Sequence, residues 1–459
     1  MSMQEQMIGE ARAYEMLERA VNESGADQTE IVLEAAQQAV TRYANNEIHQ
    51  NVAATNTRIA VRAIVGKSSA RAFANHLSEG ALREAVVAAT EAARRQAANP
   101  KLIDLPSPRQ NALPLVQTLF AATADQTPLA RAQDIRTIID AVQAAGFVAF
   151  GTAIAGLTEL AVVNSHGVRS YAAATEAYLR VLADNGQGTG YADVLARDVS
   201  TFDPRTLAAE AITKCRLNIN QIALPPGDYA AVLEANCVAD FVRFPVIYGM
   251  GALAIEQGSS FMAGNFGTAV TSDLVTIWDD PHDPACLPMP IDYEGMPAQR
   301  IDLIDHGIAR DVANDAATAG RRGTTTNGHA GSPWEESYPL PEHIVMAGGT
   351  ATADELTREM QRGVRITRLH YTHSPDPKRV IATGTTRDGT FLVENGEIVA
   401  AVKNLRFTQS VLDMLATTEA LGQTKPCRDW WASNGMGTTT YVLPAIRVGR
   451  CTFTGVTTF

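Results

Sequence analysis

The sequence predicts an α+β protein: an N-terminal mixed α/β domain over residues 1–222, then a β-rich, barrel- or sandwich-like domain over 223–459. Three observations predict it. At 459 residues the chain exceeds what one ordinary core serves, so two domains are the default. The first half interleaves helical and strand patterns without regular βαβ units. The second half carries few helical stretches among many strand-like runs.

Met7, Ala11, Tyr14, Leu17 and Val21 recur at helical spacing and predict a helix over 4–24. Strand-like runs follow at 30–40, 47–54, 58–65 and 68–73, with Gly66-Lys67 as a hairpin turn. A second helix is expected over 78–97, with Ser78 as its cap and Glu79 complementing its N-terminal dipole. Residues 99–115 read as a proline-bearing connector, and 128–145 as a third helix. Strands at 147–155 and 159–164, a turn at Ser165-His166-Gly167 and a long strand over 168–183 come next. The loop Asn185-Gly186-Gln187-Gly188-Thr189-Gly190 has superficially nucleotide-binding spacing. No clean helix opens at Tyr191-Ala192-Asp193, so a flexible connector is expected there rather than a phosphate cradle. A helix over 204–217 leads to the expected boundary at Leu224-Pro225-Pro226-Gly227. Beyond it, helices are expected only at 237–248, 311–319, 353–361 and 411–420.

Composition excludes several classes. No run of apolar residues is long enough to span a membrane, and the polar N-terminus lacks a signal-peptide pattern. The five cysteines are widely spaced, without a CxxC, which fits a reducing cytoplasm rather than a disulfide framework. A formal charge of −12, with basic residues clustered only in pairs, argues against nucleic-acid binding.

The densest chemistry lies in 278–307, which holds six Asp, one Glu and five Pro. It reads as a strand ending in an acidic turn, then a short strand over 291–294 and a turn at Gly295. Asp292 and Glu294 would share a strand face, a pairing suited to acid–base work or to a cation, but Arg300 nearby favours a salt-bridged turn. The run 321–332 is rich in backbone donors and hydroxyls and reads either as a loop that grips a peptide backbone or carboxylate or as a mobile surface loop. His370 and His373, at the end of an expected strand over 364–369, read as surface histidines, and His49, His166, His306 and His343 as turn or core members.

Several stretches together resemble the TldD/PmbA family, most of all its PmbA (TldE) branch. They are T-R-Y-A-N-N-E-I-H-Q-N from Thr41, V-V-N-S-H-G-V from Val162, L-P-P-G-D-Y-A-A-V-L-E from Leu224, W-D-D-P and D-Y-E-G-M-P-A-Q-R, T-T-N-G-H-A from Thr325 and G-T-F-L-V-E-N-G-E-I from Gly389. The resemblance implies that a TldD branch carries a zinc-binding H-E-x-x-x-H and that its PmbA-like partner lacks it. Aligned on Val232-Leu233, Arg243 and Tyr248 stand where the histidines belong and Phe244 where the glutamate belongs. An arginine cannot ligate zinc and a phenylalanine cannot serve as a base. Cys427 or Cys451 compares with the family's C-terminal cysteine ligand, and Pro245 is expected to kink or end the helix.

These features imply a cytoplasmic, non-catalytic subunit with no catalytic or metal residue and no cofactor of its own. Zinc is expected in a TldD-like catalytic partner, and the pair would degrade unfolded or flexible peptides and mature peptide precursors. Thr325, Thr326, Asn327, Gly328 and His329 are its expected substrate-contacting residues. Two alternatives stay open: a metal-free homodimer that binds peptides without turnover, and an independent hydrolase built on Asp292, Glu294 and a divalent cation.

Overall fold

The computed structural model describes residues 3–109, 116–334, 338–428 and 439–457. Its first sheet is an antiparallel sheet of six strands: β1 (Gln28–Ala44), β2 (Glu47–Val65), β3 (Ser68–Ala74), β4 (Val148–Asn164), β5 (Arg169–Asp184) and β6 (Thr189–Ala196), in the order β3-β2-β1-β4-β5-β6. Helices α1 (Glu10–Asn22) and α2 (Glu79–Arg95) cover one end of one face, through Leu17, Leu82 and Val86 against Ile31, Ile59 and Val61. After the short α3 (Ala121–Ala124), α4 (Pro128–Ala144) and α5 (Pro204–Leu217) cover the other end, around Ile135, Ile138, Leu179 and Ile212.

The second sheet has eleven strands: β7 (Gly227–Leu233), β8 (Ile277–Asp279), β9 (Ile301–Asp305), β10 (Ile308–Ala309), β11 (His343–Met346), β12 (Arg362–Asp376), β13 (Ile381–Glu394), β14 (Glu397–Ala401), β15 (Leu405–Ser410), β16 (Thr418–Arg428) and β17 (Thr440–Val456). β7 pairs in parallel with β12 and antiparallel with β17, so β7, β12, β13, β15 and β17 close into a ring. Closure removes the unpaired edges that such a sheet would otherwise present. The helices of this half are α6 (Ala235–Gly249), α7 (Ala252–Glu256), α8 (Ala316–Arg321), α9 (Ala353–Arg358) and α10 (Val411–Leu415). α6 is apolar around most of its circumference and buries Phe241, Val242, Phe244 and Val246 in the barrel's core, as an all-round apolar helix must.

Several expectations shift. The helix over 4–24 breaks at Gly9, whose φ of 79° leaves a short 3-10 turn before α1. The runs at 47–54 and 58–65 are one strand, as are 147–155 and 159–164, because ladder pairing carries the chain through residues of weak propensity. The helix at 311–319 starts only at Ala316, where the Asp315 side chain caps it, and the one at 411–420 gives way to β16 at Thr418. β12 continues past Leu369 to Asp376. The glycine-rich loop is a tight turn between β5 and β6, not a flexible connector. Asp184 and Asn185 side chains take the amides of Gly186, Gln187 and Gly188 at 2.7–2.9 Å, leaving no phosphate cradle. A Cβ at Gly190 would lie 2.1 Å from the Ala211 carbonyl oxygen, so glycine is required there for close packing on α5. Part of the connector over 99–115, residues 110–115, lies outside the described residues.

Candidate functional site

α6 occupies the place where the chemistry was expected. Pro245 does not end it: the helix continues to Gly249, its missing amide outweighed by burial of the surrounding apolar side chains. Phe244 is 1% exposed and stacks on Tyr248 with ring centroids 6.3 Å apart. The Arg243 guanidinium lies over the Phe244 ring at 5.1 Å. These three side chains make a packed cation–aromatic stack. Zinc requires converging thiolate, imidazole or carboxylate donors, and this stack offers a guanidinium, a phenyl ring and a phenol. Among the described residues, no three His, Cys, Asp or Glu side chains converge as a metal-ligand group. Cys427 and Cys451 are both buried; burial raises both thiols, that of Cys451 to about 12, which disfavours the thiolate a metal needs. The residues present therefore do not fit a zinc centre.

The acidic segment 278–307 forms the seam between the two halves. Residues 291–294 are not a strand. Ile291 makes a single bridge to Pro297, and Gly295 N–H closes a turn on the Asp292 carbonyl at 3.0 Å. The Asp292 carboxylate accepts the amides of Glu294, Met296 and Ala330 at 2.8–2.9 Å, fixing that turn. Burial pushes its pKa up to about 7 despite those amides. The expected pairing with Arg300 does not form; Arg300 instead approaches Asp302 and Asp280 and covers the Trp278 ring. Arg62 of the first sheet comes within 3.7 Å of Glu294, while burial raises the Glu294 carboxyl well above its usual range. Tyr293 donates to Glu34 of β1 at 2.9 Å, and Ser170 of β5 donates to the Gly295 carbonyl at 2.7 Å. Met289 and Ile291 complete an apolar patch with Val32, Leu160 and Val162.

Behind this seam lies a sealed acid–histidine group. Asp279, fully buried, accepts His329 Nε2 at 2.9 Å and the His343 amide at 2.6 Å. Burial opposes charging of His329, but Asp279 outweighs it and its pKa is raised; that of His343 is lowered, first by burial and then by His329. The segment 325–329 divides accordingly. Thr325 is exposed, whereas Thr326, Asn327, Gly328 and His329 are buried and tied to Asn314 and Asp279. His370 is half-buried and His373 exposed on β12.

The sequence reading gave no role to the charged clasps joining the halves. Glu234, at the start of α6, binds Lys214 of α5 at 2.7 Å and Arg365 of β12 at 2.9 Å. Asp193 of β6 accepts Lys425 of β16 at 2.6 Å, and Arg428 approaches Glu176 of β5 at 3.2 Å. The available signal was weak: acidic residues at strand positions otherwise filled with apolar side chains.

A sheet-and-helix layer clasped to a small barrel, with the buried helix α6 at its centre, defines a two-part α+β protein. Known proteins then place it. Residues 226–455 match the PmbA/TldA metallopeptidase C-terminal domain and residues 29–97 match PmbA/TldA metallopeptidase domain 1. The chain belongs to the TldD/PmbA family and is a metallopeptidase-related protein. It is 24% identical over 275 residues to a metalloprotease of Methanothermobacter thermautotrophicus, covering 57% of this chain and 59% of that one. It is 24% identical over 269 residues to the metalloprotease PmbA of Escherichia coli O157:H7, covering 56% of each. The alignments thus span under two thirds of these relatives. The crystal structure of TldE from Thermococcus kodakarensis superposes with a TM-score of 0.86 at 19% identity, over 96% of this chain and 100% of that one, and shares the fold. Among the described residues no helix is long and apolar enough to cross a membrane.

Proposed function

We propose that this chain is the non-catalytic subunit of a TldD/TldE-type heterodimeric metallopeptidase acting on unfolded or flexible peptides, with the zinc held by a TldD-like partner. The observation that carries the reading is the Arg243–Phe244–Tyr248 stack on α6, in which the guanidinium cannot ligate a metal, the phenyl ring cannot act as a base, and one phenol is the single donor left, against the three protein ligands a zinc hydrolase needs. In this reading the chain shapes part of the peptide chamber. Exposed Thr325 faces substrate, while Thr326, Asn327, Gly328 and His329 hold the loop in place behind it. Five free, buried cysteines suit a reducing compartment such as the cytoplasm.

The test measures zinc content and cleavage of an unfolded peptide, for this chain alone and after co-purification with a TldD-like chain. Zinc and turnover are expected only in the pair. Zinc and turnover in the isolated chain would sink the proposal. Peptide binding without turnover in both preparations would favour the metal-free sequestering reading instead.

A further inference from the structure

Three charged residues stand in register across three neighbouring strands: Glu30 of β1 lies opposite Arg62 of β2, and Arg62 opposite Arg71 of β3. Paired residues leave the same face of a sheet, and here it is the face that carries Val32 and Ala60 onto the seam. Glu294 of the seam and Asp315, the cap of α8, face them. These five side chains line a cleft of about 330 Å³, a size suited to a small molecule. None of the residues lining it belongs to α6. Its charges are not satisfied internally. Glu30 is 4% exposed, yet its Oε2 has no hydrogen-bond partner. Arg62 approaches Glu30 Oε1 only to 4.0 Å and Glu294 Oε1 only to 3.7 Å, both too long for hydrogen bonds. Arg71 sets an exposed guanidinium directly opposite that of Arg62, an arrangement that by itself destabilises the strand pair. Burial raises the Glu294 carboxyl, and Glu30, Asp292 and Asp315 raise it further, so acidic groups crowd the cleft as well.

We propose that this cleft binds a small zwitterion, an α-amino acid or a dipeptide, with its carboxylate between Arg62 and Arg71 and its ammonium against Glu30 and Glu294. The two charges of such a ligand answer the two unmet needs of the cleft. An anion alone would leave the buried Glu30 Oε2 unpartnered and would face three carboxylates. A cation alone would leave two guanidiniums opposed, and a metal ion finds no converging ligand group among the described residues. Paired guanidiniums are suited to a carboxylate, whose charge-assisted hydrogen bonds are the strong ones. The proposal needs only this chain and does not rest on the peptidase reading.

The experiment titrates L-alanine, L-alanyl-L-alanine, acetate and methylammonium separately into the full-length chain by calorimetry. At least one of the two zwitterions is expected to bind saturably. Acetate and methylammonium, each lacking one charged contact, are expected to bind about tenfold more weakly or worse. Saturation by alanine alone identifies a free amino acid as the occupant, and by the dipeptide alone a peptide; either outcome supports the site. Glu30→Gln and Arg71→Gln are each expected to weaken the zwitterion by about tenfold. Arg71 is exposed on the edge strand β3, so its variant keeps the fold even if Glu30→Gln does not. No saturable binding of either zwitterion overturns the proposal. So does acetate or methylammonium binding as tightly as the zwitterions, and so does an affinity unchanged in Arg71→Gln.

Discussion

Glu234→Gln tests whether the charged clasp at the start of α6 holds the two halves together. Burial alone would push the Glu234 carboxyl up, but Lys214 and Arg365 more than offset it and hold it at about 2, against 4.5 for an unperturbed glutamate. With a tenfold change in proton affinity worth about 1.4 kcal/mol, the charge contributes roughly 3 kcal/mol at neutral pH. Breaking a buried pair ordinarily costs about 3–5 kcal/mol. The low end applies because Lys214 keeps Glu210 at 2.7 Å and Arg365 keeps Asp354. The folded-state pKa is depressed, so the contribution is complete above about 4.5 and is lost as pH falls toward 2. Urea unfolding of the wild type and variant should therefore differ by roughly 3 kcal/mol at pH 7 and by roughly half that or less near pH 3. A gap below about 1 kcal/mol at pH 7, or one unchanged at low pH, would refute the reasoning.

Three further outcomes follow from the packing. Phe244→Ala should destabilise by about 3–5 kcal/mol in the same unfolding assay, since the ring is fully enclosed in the barrel core; a near-neutral result would mean that α6 is not sealed there. Gly295→Ala, at φ 72° with its Cβ 2.7 Å from Val168 Cγ1, should cost about 2–4 kcal/mol through backbone strain and overpacking, read as a fall in the thermal midpoint. Tyr293→Phe should cost about 1–3 kcal/mol by leaving the buried Glu34 oxygen without its donor, and circular dichroism melts can check it.

Where the sequence failed, it failed for physical reasons. The sequence reading placed α2, α4 and α5 almost to the residue; in the structure Ser78, Thr127 and Asp203 cap them locally, and only the first of these caps was expected. The strand over 291–294 did not form, because three amides converge on the Asp292 carboxylate and close a turn instead. Arg300 stood close in sequence to Asp292 and Glu294, yet the residue beside Glu294 is Arg62, more than two hundred positions away. Spacing along a chain cannot report pairs made by packing one sheet against another.

The sequence by itself determined the α+β class and the family resemblance, since these depend on residue types and local period alone. Only the tertiary structure decided that α6 passes intact through Pro245 into a closed barrel, that the acidic segment is a seam, and that half of β2 is left as an open edge. Each of these depends on pairings between residues far apart in sequence, which closure and burial select and which no local pattern encodes.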